Sequence, residues 1–279
     1  MNIGFLHPGA MGISLAVSAQ ATGHKTFWVS EGRSVETRKR ANEHNLSEAQ
    51  SLGELCEVCD IIISVCPPSA AFAVAGQILE SSFKGIYADV NAISPEKAKS
   101  IHKLMRAKDL EFVDGGVIGG PAWEAESTWL YLAGNKAAEV ANCFQGGLLE
   151  TEIMGPEIGR ASAIKMSFAA YTKGSTALLC AIMAAADEMG VREALEKQWS
   201  RGGSDFAERT QNRLRRVTAK AWRFSGEMEE IAATLQASGL PPDFHLAAST
   251  IYSRLAGFKD AESLPELQEV LEALKHKVK

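Results

Sequence analysis

A glycine-containing turn near the start of the chain carries the first residues that could do chemistry. Ile3 to Leu6 is an apolar run that predicts a strand, and Ile13 to Ala21 predicts a helix. Glycines between them would let the backbone approach an anion, and the amides of a helix start point at negative charge. The turn therefore predicts a pyrophosphate site of a dinucleotide cofactor. The predicted binding residues are Leu6, His7, Pro8, Gly9, Ala10, Met11 and Gly12.

His7 makes this turn irregular. It stands where the G-x-G-x-x-G fingerprint has its first glycine, whereas Gly9 and Gly12 occupy the other two positions. An ordinary structural turn therefore stays open as the alternative, although the strand and helix on either side favour cofactor binding.

The end of the second predicted strand bears on the choice between NAD and NADP. After Val29, where NAD-binding proteins usually carry an acid for the ribose hydroxyl, the chain has Ser30. The residues that follow include Arg33, Ser34 and Arg38, which could hold a 2'-phosphate through charge and hydroxyl contacts. The sequence favours NADP. NAD stays possible, with Glu31 on the ribose and the arginines at a solvated helix start.

Short apolar runs alternate with amphipathic segments through the first half of the chain. This rhythm predicts βαβ units and a parallel sheet. The predicted strands are 3–6, 25–29, 61–65, 85–90, 111–114 and 128–133. Helix-length patterns then follow at 161–189, 194–199, 204–223, 226–238, 243–256 and 265–277. We expect an α/β Rossmann-type N-terminal domain over residues 1–157 and an all-α C-terminal domain for substrate binding and dimerisation over residues 158–279.

Composition narrows the class of ligand. The 279 residues include 29 Lys and Arg against 34 Asp and Glu, a net charge of −5, so no basic footprint for nucleic acid is expected. No uninterrupted apolar run reaches the length of a membrane span, and the first residues do not resemble a signal peptide, which predicts a soluble, cytoplasmic protein without a membrane partner. Cys56 and Cys59 form one C-x-x-C without further ligands nearby, so no metal site is expected.

Several segments resemble, in order, motifs of the β-hydroxyacid dehydrogenase superfamily, which includes 6-phosphogluconate and 3-hydroxyisobutyrate dehydrogenases. The matching segments cover the cofactor turn, a strand end beside the cofactor, the Asp-x-Ser-Thr-x-x-Pro motif, the substrate motif and the run leading to the family's catalytic lysine. They are Gly4 to Gly12, Asp60 to Pro67, Asp89 to Pro95, Phe112 to Gly120 and Gly159 to Lys165. The C-terminal half resembles a branch with a short helical domain of unknown function, through residues 163–166, 173–174 and 226–231.

The resemblance implies a role for individual residues. Lys165 would be the catalytic residue. The further cofactor-binding residues would be Val65, Cys66, Pro67 and Asn91. The substrate-binding positions would be Ile118, Gly119, Gly120 and Ala169. At two of these the chain departs from the family, because Ile118 replaces a serine and Ala169 an asparagine, so the substrate stays open.

Lys165 has the chemistry for that role. Hydride transfer to a carbonyl needs a proton donor at the developing alkoxide, and the reverse reaction needs a base. Lys165 interrupts the apolar stretch Ala161 to Ala170, and burial lowers the pKa of a lysine towards the working range. The alternative is a snorkelling or ion-paired lysine on a helix. Likewise, Gly119 and Gly120 would either offer amides to a substrate oxygen or form a tight turn.

The resemblance implies an NAD(P)-dependent oxidoreductase that interconverts a hydroxyl and a carbonyl group on a small-molecule substrate. An imine reductase-like enzyme and a catalytically silent NADP-binding regulator are the alternatives, the second because of the changes at Ile118 and Ala169. A helix at Ala161 to Met189 that is apolar on most faces predicts a homodimer.

Overall fold

The computed structural model describes residues 1–275. The chain separates into two compact units, Met1–Met166 and a second one from Ser167 onward. The sequence-based boundary at residue 157 stays a prediction.

The first unit is built on one eight-stranded sheet. Its strands are β1 Asn2–Phe5, β2 Lys25–Val29, β3 Ser47–Ala49, β4 Ile61–Ser64, β5 Ile86–Asp89, β6 Glu111–Gly119, β7 Thr128–Ala133 and β8 Glu150–Ile153. They are ordered β3-β2-β1-β4-β5-β6-β7-β8, and every neighbouring pair is parallel except β6 with β7. The strand order reverses next to β1, and such a switch point is where ligands of open α/β sheets bind.

Helices accompany this sheet and make up most of the second unit. Those of the described chain are α1 Ala10–Ala21, α2 Val35–Glu43, α3 Leu52–Val58, α4 Ala71–Leu79, α5 Pro95–Arg106, α6 Ala137–Asn142, α7 Arg160–Glu188, α8 Arg192–Trp199, α9 Phe206–Ala237, α10 Asp243–Arg254 and α11 Leu267–Lys275. The predicted fold class, a Rossmann-type domain followed by a helical one, is confirmed.

The apolar strands of the sheet contribute side chains to two separate hydrophobic cores. On β4, Ile61 and Ile63 pack into one cluster of buried side chains, whereas Ile62 packs into the other. Successive side chains of a strand point to opposite faces, so a continuous apolar run is what a sheet covered on both faces requires. Two packed faces hold the carboxyl ends of β1, β2 and β4 in a fixed arrangement.

Three details of the predicted elements were wrong. Strands β3 and β8 were missed, because Ser47–Ala49 and Glu150–Ile153 are short and largely exposed. The break predicted between residues 223 and 226 does not exist, since α9 runs without interruption through Gly226. Helix α11 begins at Leu267 rather than at Pro265, and the last two residues of its predicted extent lie outside the described chain.

In the second unit, polar contacts tie the helices together. Arg213 on α9 donates to the Thr172 carbonyl (2.6 Å) and to Thr176 Oγ1 (2.6 Å) on α7, and Lys173 on α7 pairs with Glu227 on α9.

Helix α7 is long and apolar enough to cross a membrane, but this is a weak indication because core helices of soluble proteins share these properties.

Candidate functional site

The turn after β1 brings a helix start close to a strand end. Helix α1 begins at Ala10, and Gly9 at its N-cap position provides no side-chain hydrogen bond. A Cβ atom on Gly12 would lie 2.3 Å from the His7 carbonyl oxygen, so only glycine permits this approach. A Cβ atom on Gly9 would meet nothing within 4 Å among the described residues. The first amides of α1 are thus not capped by a side chain, as an anion-binding helix start requires.

Neighbouring elements hold this turn in place. Arg40 on α2 donates to the Pro8 carbonyl at 3.2 Å. Ser14 on α1 donates to the Met11 carbonyl at 2.9 Å and accepts from the Ala122 amide at 3.0 Å. The turn is therefore anchored on two sides while its glycine edge stays exposed.

A cleft of about 620 Å³ opens beside the turn, between the ends of β1 and β2 and helix α4. Leu6, His7, Val29, Glu31 and Arg33 are among its lining residues. Within the described chain, two buried nitrogen atoms of these side chains have no hydrogen-bond partner, His7 Nδ1 and Arg33 Nε. Burial, together with the charge of Arg33, lowers the pKa of His7 to about 4. The cleft is thus lined by the Arg33 charge and a neutral imidazole, together with the carboxylates of Glu31 and Glu80.

Ser34 and Arg38, the other residues predicted to hold a 2'-phosphate, make structural contacts. Ser34 caps α2 by accepting from the Thr37 amide at 3.3 Å. Arg38 donates to the carbonyl of buried Ser30 at 2.6 Å and lies 3.6 Å from Glu48. Of the three residues predicted to hold a 2'-phosphate, Arg33 is the one that lines the cleft.

Asn91 organises the ends of β4 and β5. Its Oδ1 accepts from the Cys66 amide at 2.5 Å, its Nδ2 donates to Ser64 Oγ at 3.1 Å, and its own amide donates to Asp89 Oδ1 at 3.0 Å. These bonds fix the segment Val65–Pro67 against the neighbouring strand. Burial, reinforced by the charge of Asp89, raises the pKa of the Cys66 thiol to about 12, so this thiol is not a nucleophile at neutral pH.

Asp89 is a buried carboxyl group next to this network. Burial raises its pKa to about 7, and nearby Asp114 contributes in the same direction. Its Oδ2 atom has no hydrogen-bond partner within the described residues. Asp89 is therefore partly protonated near neutral pH.

Asp114 on β6 caps the start of α7. Its Oδ2 accepts from the amides of Gly159, Ala161 and Ser162 at 2.9 to 3.1 Å, and its Oδ1 accepts from Ser162 Oγ at 2.5 Å. Burial raises the pKa of Asp114, although these bonds favour its charged form. One carboxylate thus joins β6 to a backbone segment 45 to 48 residues further along the chain.

Lys165 follows on the first turns of α7, close to β6. A Cβ atom on Gly116 would lie 2.5 Å from the Ala161 carbonyl oxygen and 2.9 Å from Lys165 Cβ. Glycine at this position is therefore required for α7 to pack on the strand. The Lys165 side chain is half-buried. Together, Asp114 and Gly116 determine where Lys165 lies.

The predicted substrate residues divide into different environments. Ile118 is buried on β6, paired with Trp129. Gly119 pairs with Thr128 at the strand end and has a φ of +123°, and a Cβ atom there would lie 2.3 Å from the Ser127 carbonyl oxygen. Gly120 is exposed, with nothing within 4 Å of a Cβ atom. Ala169 is buried in the second unit.

The sequence did not predict that three residues of this region, Asp114, Gly116 and Arg40, position other parts of the site. Asp114 and Gly116 lay inside the predicted substrate motif, but their partners are 45 to 49 residues further along the chain. Arg40 looked like one of several charges on a polar helix, and its bond to the Pro8 carbonyl has no local sequence signal.

A family model for the NAD-binding domain of 6-phosphogluconate dehydrogenase matches residues 2–145, and one for a domain of unknown function matches residues 186–255. The chain belongs to the β-hydroxyacid dehydrogenase superfamily. The resemblance inferred from the motifs is therefore confirmed, including the helical C-terminal branch.

Two relatives align over most of this chain. An uncharacterised 28.5 kDa protein of Methanothermus fervidus is 30% identical over 186 residues, covering 66% of this chain and 71% of that protein. The mitochondrial 3-hydroxyisobutyrate dehydrogenase of Drosophila melanogaster is 29% identical over 200 residues, covering 70% of this chain but only 57% of that enzyme.

Solved structures extend the likeness to nearly the whole chain. A conserved protein of unknown function, described as similar to 3-hydroxyacid dehydrogenases, is 30% identical with a TM-score of 0.66, covering 92% of this chain and 97% of that one. Mycobacterium tuberculosis 3-hydroxyisobutyrate dehydrogenase with L-serine has a TM-score of 0.70 at 16% identity, and the match covers 99% of both chains. An imine reductase from Myxococcus stipitatus with NADP+ has a TM-score of 0.60 at 14% identity, and the match covers 99% of this chain and 100% of that one. The last two show the fold alone.

The residues present fit a nicotinamide dinucleotide. The open edge at Gly9 and the uncapped start of α1 suit a pyrophosphate, and the adjoining cleft with Arg33 suits the adenosine half. Superfamily membership therefore agrees with an NAD(P)-binding first unit.

Proposed function

We propose that this protein is an NADP-dependent oxidoreductase that interconverts a hydroxyl and a carbonyl group on a small molecule. The uncapped glycine start of α1, opening beside the cleft that contains Arg33, is the observation that carries this proposal. The similarity to 3-hydroxyisobutyrate dehydrogenase supports a hydroxy acid-like substrate.

The preference for NADP rests on Arg33. Its guanidinium lines the cleft at the end of β2, and its buried Nε has no partner within the described residues. A 2'-phosphate would provide that partner and would offset the charge. Glu31 lines the same cleft and could instead accept from ribose hydroxyls, so NAD binding remains the competing assignment.

Lys165 is the proposed general acid and base. When bound, the cofactor supplies or accepts the hydride. In the reducing direction, the carbonyl carbon gains the hydride and Lys165 gives a proton to the oxygen, which yields the alcohol. In the oxidising direction, Lys165 takes the hydroxyl proton as the C–H bond gives up its hydride. Asp114 and Gly116 position Lys165 for this task, and the segment Ile118–Gly120 supplies shape and backbone polarity to the substrate pocket.

Turnover of a substrate panel tests the proposal. NADPH oxidation with aldehydes, keto acids and imines, and NADP reduction with hydroxy acids, should single out one class. For that substrate, we expect Lys165→Met to lower kcat by about 10²- to 10⁴-fold while NADPH affinity stays unchanged. Lys84→Met, at an exposed position of the same unit, is the matched control. Full turnover by Lys165→Met would contradict the mechanism.

The choice of cofactor has a separate test. Arg33→Gln should weaken NADPH binding by tenfold or more and leave NADH binding nearly unchanged, because only NADPH carries the 2'-phosphate. Lys39→Gln on the exposed face of α2 is the control. Equal losses for both cofactors would assign Arg33 to a general structural role.

Two alternative functions are compatible with the observations, an imine reductase and a catalytically silent regulator. Imine reduction is favoured by the fold shared with an imine reductase and by the apolar residues Ile118 and Ala169 at positions where the family carries polar ones. A silent NADP-binding regulator would bind NADPH without any turnover. The substrate panel separates the three possibilities.

We also propose a cytoplasmic homodimer. In the second unit, α7 leaves Phe168, Tyr171 and Leu178 between 45% and 78% exposed, which is unusual for large apolar side chains of a lone subunit. A light-scattering mass equal to one 30.0 kDa chain would contradict the dimer.

A further inference from the structure

His7 occupies an unusual position for a titratable side chain. It stands where dinucleotide-binding turns have their first glycine, and its imidazole faces the same cleft as the Arg33 guanidinium. Within the described chain, His7 Nδ1 and Arg33 Nε are both buried without a hydrogen-bond partner. Buried polar groups are nearly always satisfied, so two such nitrogens in one cleft indicate a ligand that brings its own acceptors.

Arg33 places a positive charge near His7 and favours an anionic ligand at this part of the cleft. Burial, reinforced by repulsion from the Arg33 charge, keeps the imidazole of His7 neutral at physiological pH. Glu31 and Glu80 also line the cleft, and Cys66, two residues after β4, lies close enough to influence Arg33 electrostatically. A dianion placed between His7 and Arg33 would reverse the local field and favour a charged imidazole.

Building on the proposed function, we propose that His7 and Arg33 together hold the 2'-phosphate of NADP, and that His7 takes up a proton when this phosphate binds. Arg33 would provide the permanent charge and His7 a charge that exists only in the complex. The contribution of His7 to NADPH affinity would then rise as the pH falls, whereas NADH affinity would not contain this contribution. The histidine in place of glycine would thus be a specificity residue.

The direction of the pH dependence follows from the protonation of His7 in the free and in the NADPH-bound protein. Free His7 has a pKa of about 4 and is neutral at pH 6. A phosphate within hydrogen-bond distance stabilises the imidazolium and raises this pKa, so binding and proton uptake are linked. The phosphate itself has a second pKa near 6, and cationic neighbours make it release a proton on binding. These two contributions have opposite signs, which makes them separable by removing the histidine.

The experiment compares wild type with His7→Gln, which keeps a hydrogen-bond donor but does not titrate. NADPH and NADH dissociation constants are measured by fluorescence between about pH 5.5 and pH 7.5, and calorimetry in buffers of different ionisation enthalpy counts the protons taken up. We expect wild-type NADPH affinity to fall about tenfold more over this range than that of His7→Gln. An unchanged urea-denaturation midpoint, followed by circular dichroism, reports that the variant is folded.

Each outcome has a distinct meaning. Identical NADPH pH profiles in wild type and His7→Gln would overturn the proposal, while an NADPH preference abolished by Arg33→Gln would still uphold the proposed cofactor. Tighter binding of 2',5'-ADP than of 5'-ADP, with the same pH difference, would support assignment to the 2'-phosphate. Inorganic phosphate that reproduces the pH difference, without any preference for 2',5'-ADP, would overturn that assignment.

Discussion

Two helices of the first unit begin beside strand ends, and their first turns are treated in opposite ways. Helix α1 starts after Gly9 without a side-chain cap, whereas the first amides of α7 are bound by Asp114. In both places a glycine makes the approach possible, Gly12 against the His7 carbonyl and Gly116 against the Ala161 carbonyl.

This difference indicates that the N-terminus of α1 is suited to binding an anion, whereas the N-terminus of α7 is suited to positioning a side chain. Uncapped amides at α1 carry the positive end of the helix dipole to an open edge, where an anion can accept from them. At α7 a carboxylate of the protein already fills that role. The capped start therefore binds no ligand with its amides and instead holds the next turn, with Lys165, on β6.

Removing the α7 cap should have the largest effect. Asp114→Ala leaves three buried amides and one hydroxyl without their acceptor, and we expect a loss of roughly 3 to 5 kcal/mol in the free energy of unfolding. Urea denaturation followed by circular dichroism measures it. Glu111→Ala at the exposed start of the same strand is the control, and a loss below about 1 kcal/mol for Asp114→Ala would refute the capping role.

The two glycines of the α1 start should respond differently to a methyl group. Gly12→Ala places Cβ against a backbone oxygen, so we expect a loss of about 1 to 3 kcal/mol in stability, together with weaker NADPH binding. Gly9→Ala meets no neighbouring atom and should change stability by less than about 1 kcal/mol, yet weaken NADPH binding through the approach it blocks. Equal stability losses would contradict the distinction.

Asp89, the register partner of Asp114, sharpens the comparison because no helix start satisfies it. Its pKa of about 7 lies above the ordinary value, so the folded protein binds more protons than the unfolded chain between about pH 4 and pH 7. Ionisation of Asp89 then lowers stability as the pH rises through this window. Relative to wild type, Asp89→Asn should gain roughly 2 kcal/mol between pH 5 and pH 8.

Urea denaturation at several pH values measures this gain. Asp109→Asn is the control, because Asp109 is exposed and its φ of 54° suits Asn as well as Asp. Parallel stability curves for wild type and Asp89→Asn would show that the raised pKa does not govern stability.

Sequence patterns predicted the elements that bury many apolar side chains. Ile61 to Ile63 marked a central strand, and the apolar stretch from Ala161 marked α7. Strand β3 was missed because its sequence, Ser-Glu-Ala, has only one buried residue, Ala49, and no large apolar side chain. In α9, the expected break at Gly226 was wrong, since burial of Met228 and Ile231 outweighs the roughly 1 kcal/mol that a helical glycine costs.

For the candidate site, local motifs predicted residues but not their partners. The turn at Gly9 and Gly12 has a signature confined to a few neighbours, so its geometry could be predicted. The cap by Asp114 joins residues 45 to 48 positions apart, and no local pattern encodes such a contact. The cleft shared by His7 and Arg33 likewise forms only when two strands lie side by side.

The different surroundings of Gly119 and Gly120 have a consequence for redesigning this protein. At Gly119 the left-handed backbone and the nearby Ser127 carbonyl exclude any larger residue, so a library that varies this codon yields mostly damaged proteins. At Gly120 the surroundings are open, and side chains of many sizes fit. Directed evolution towards a new substrate should therefore begin at residue 120 and leave residue 119 unvaried.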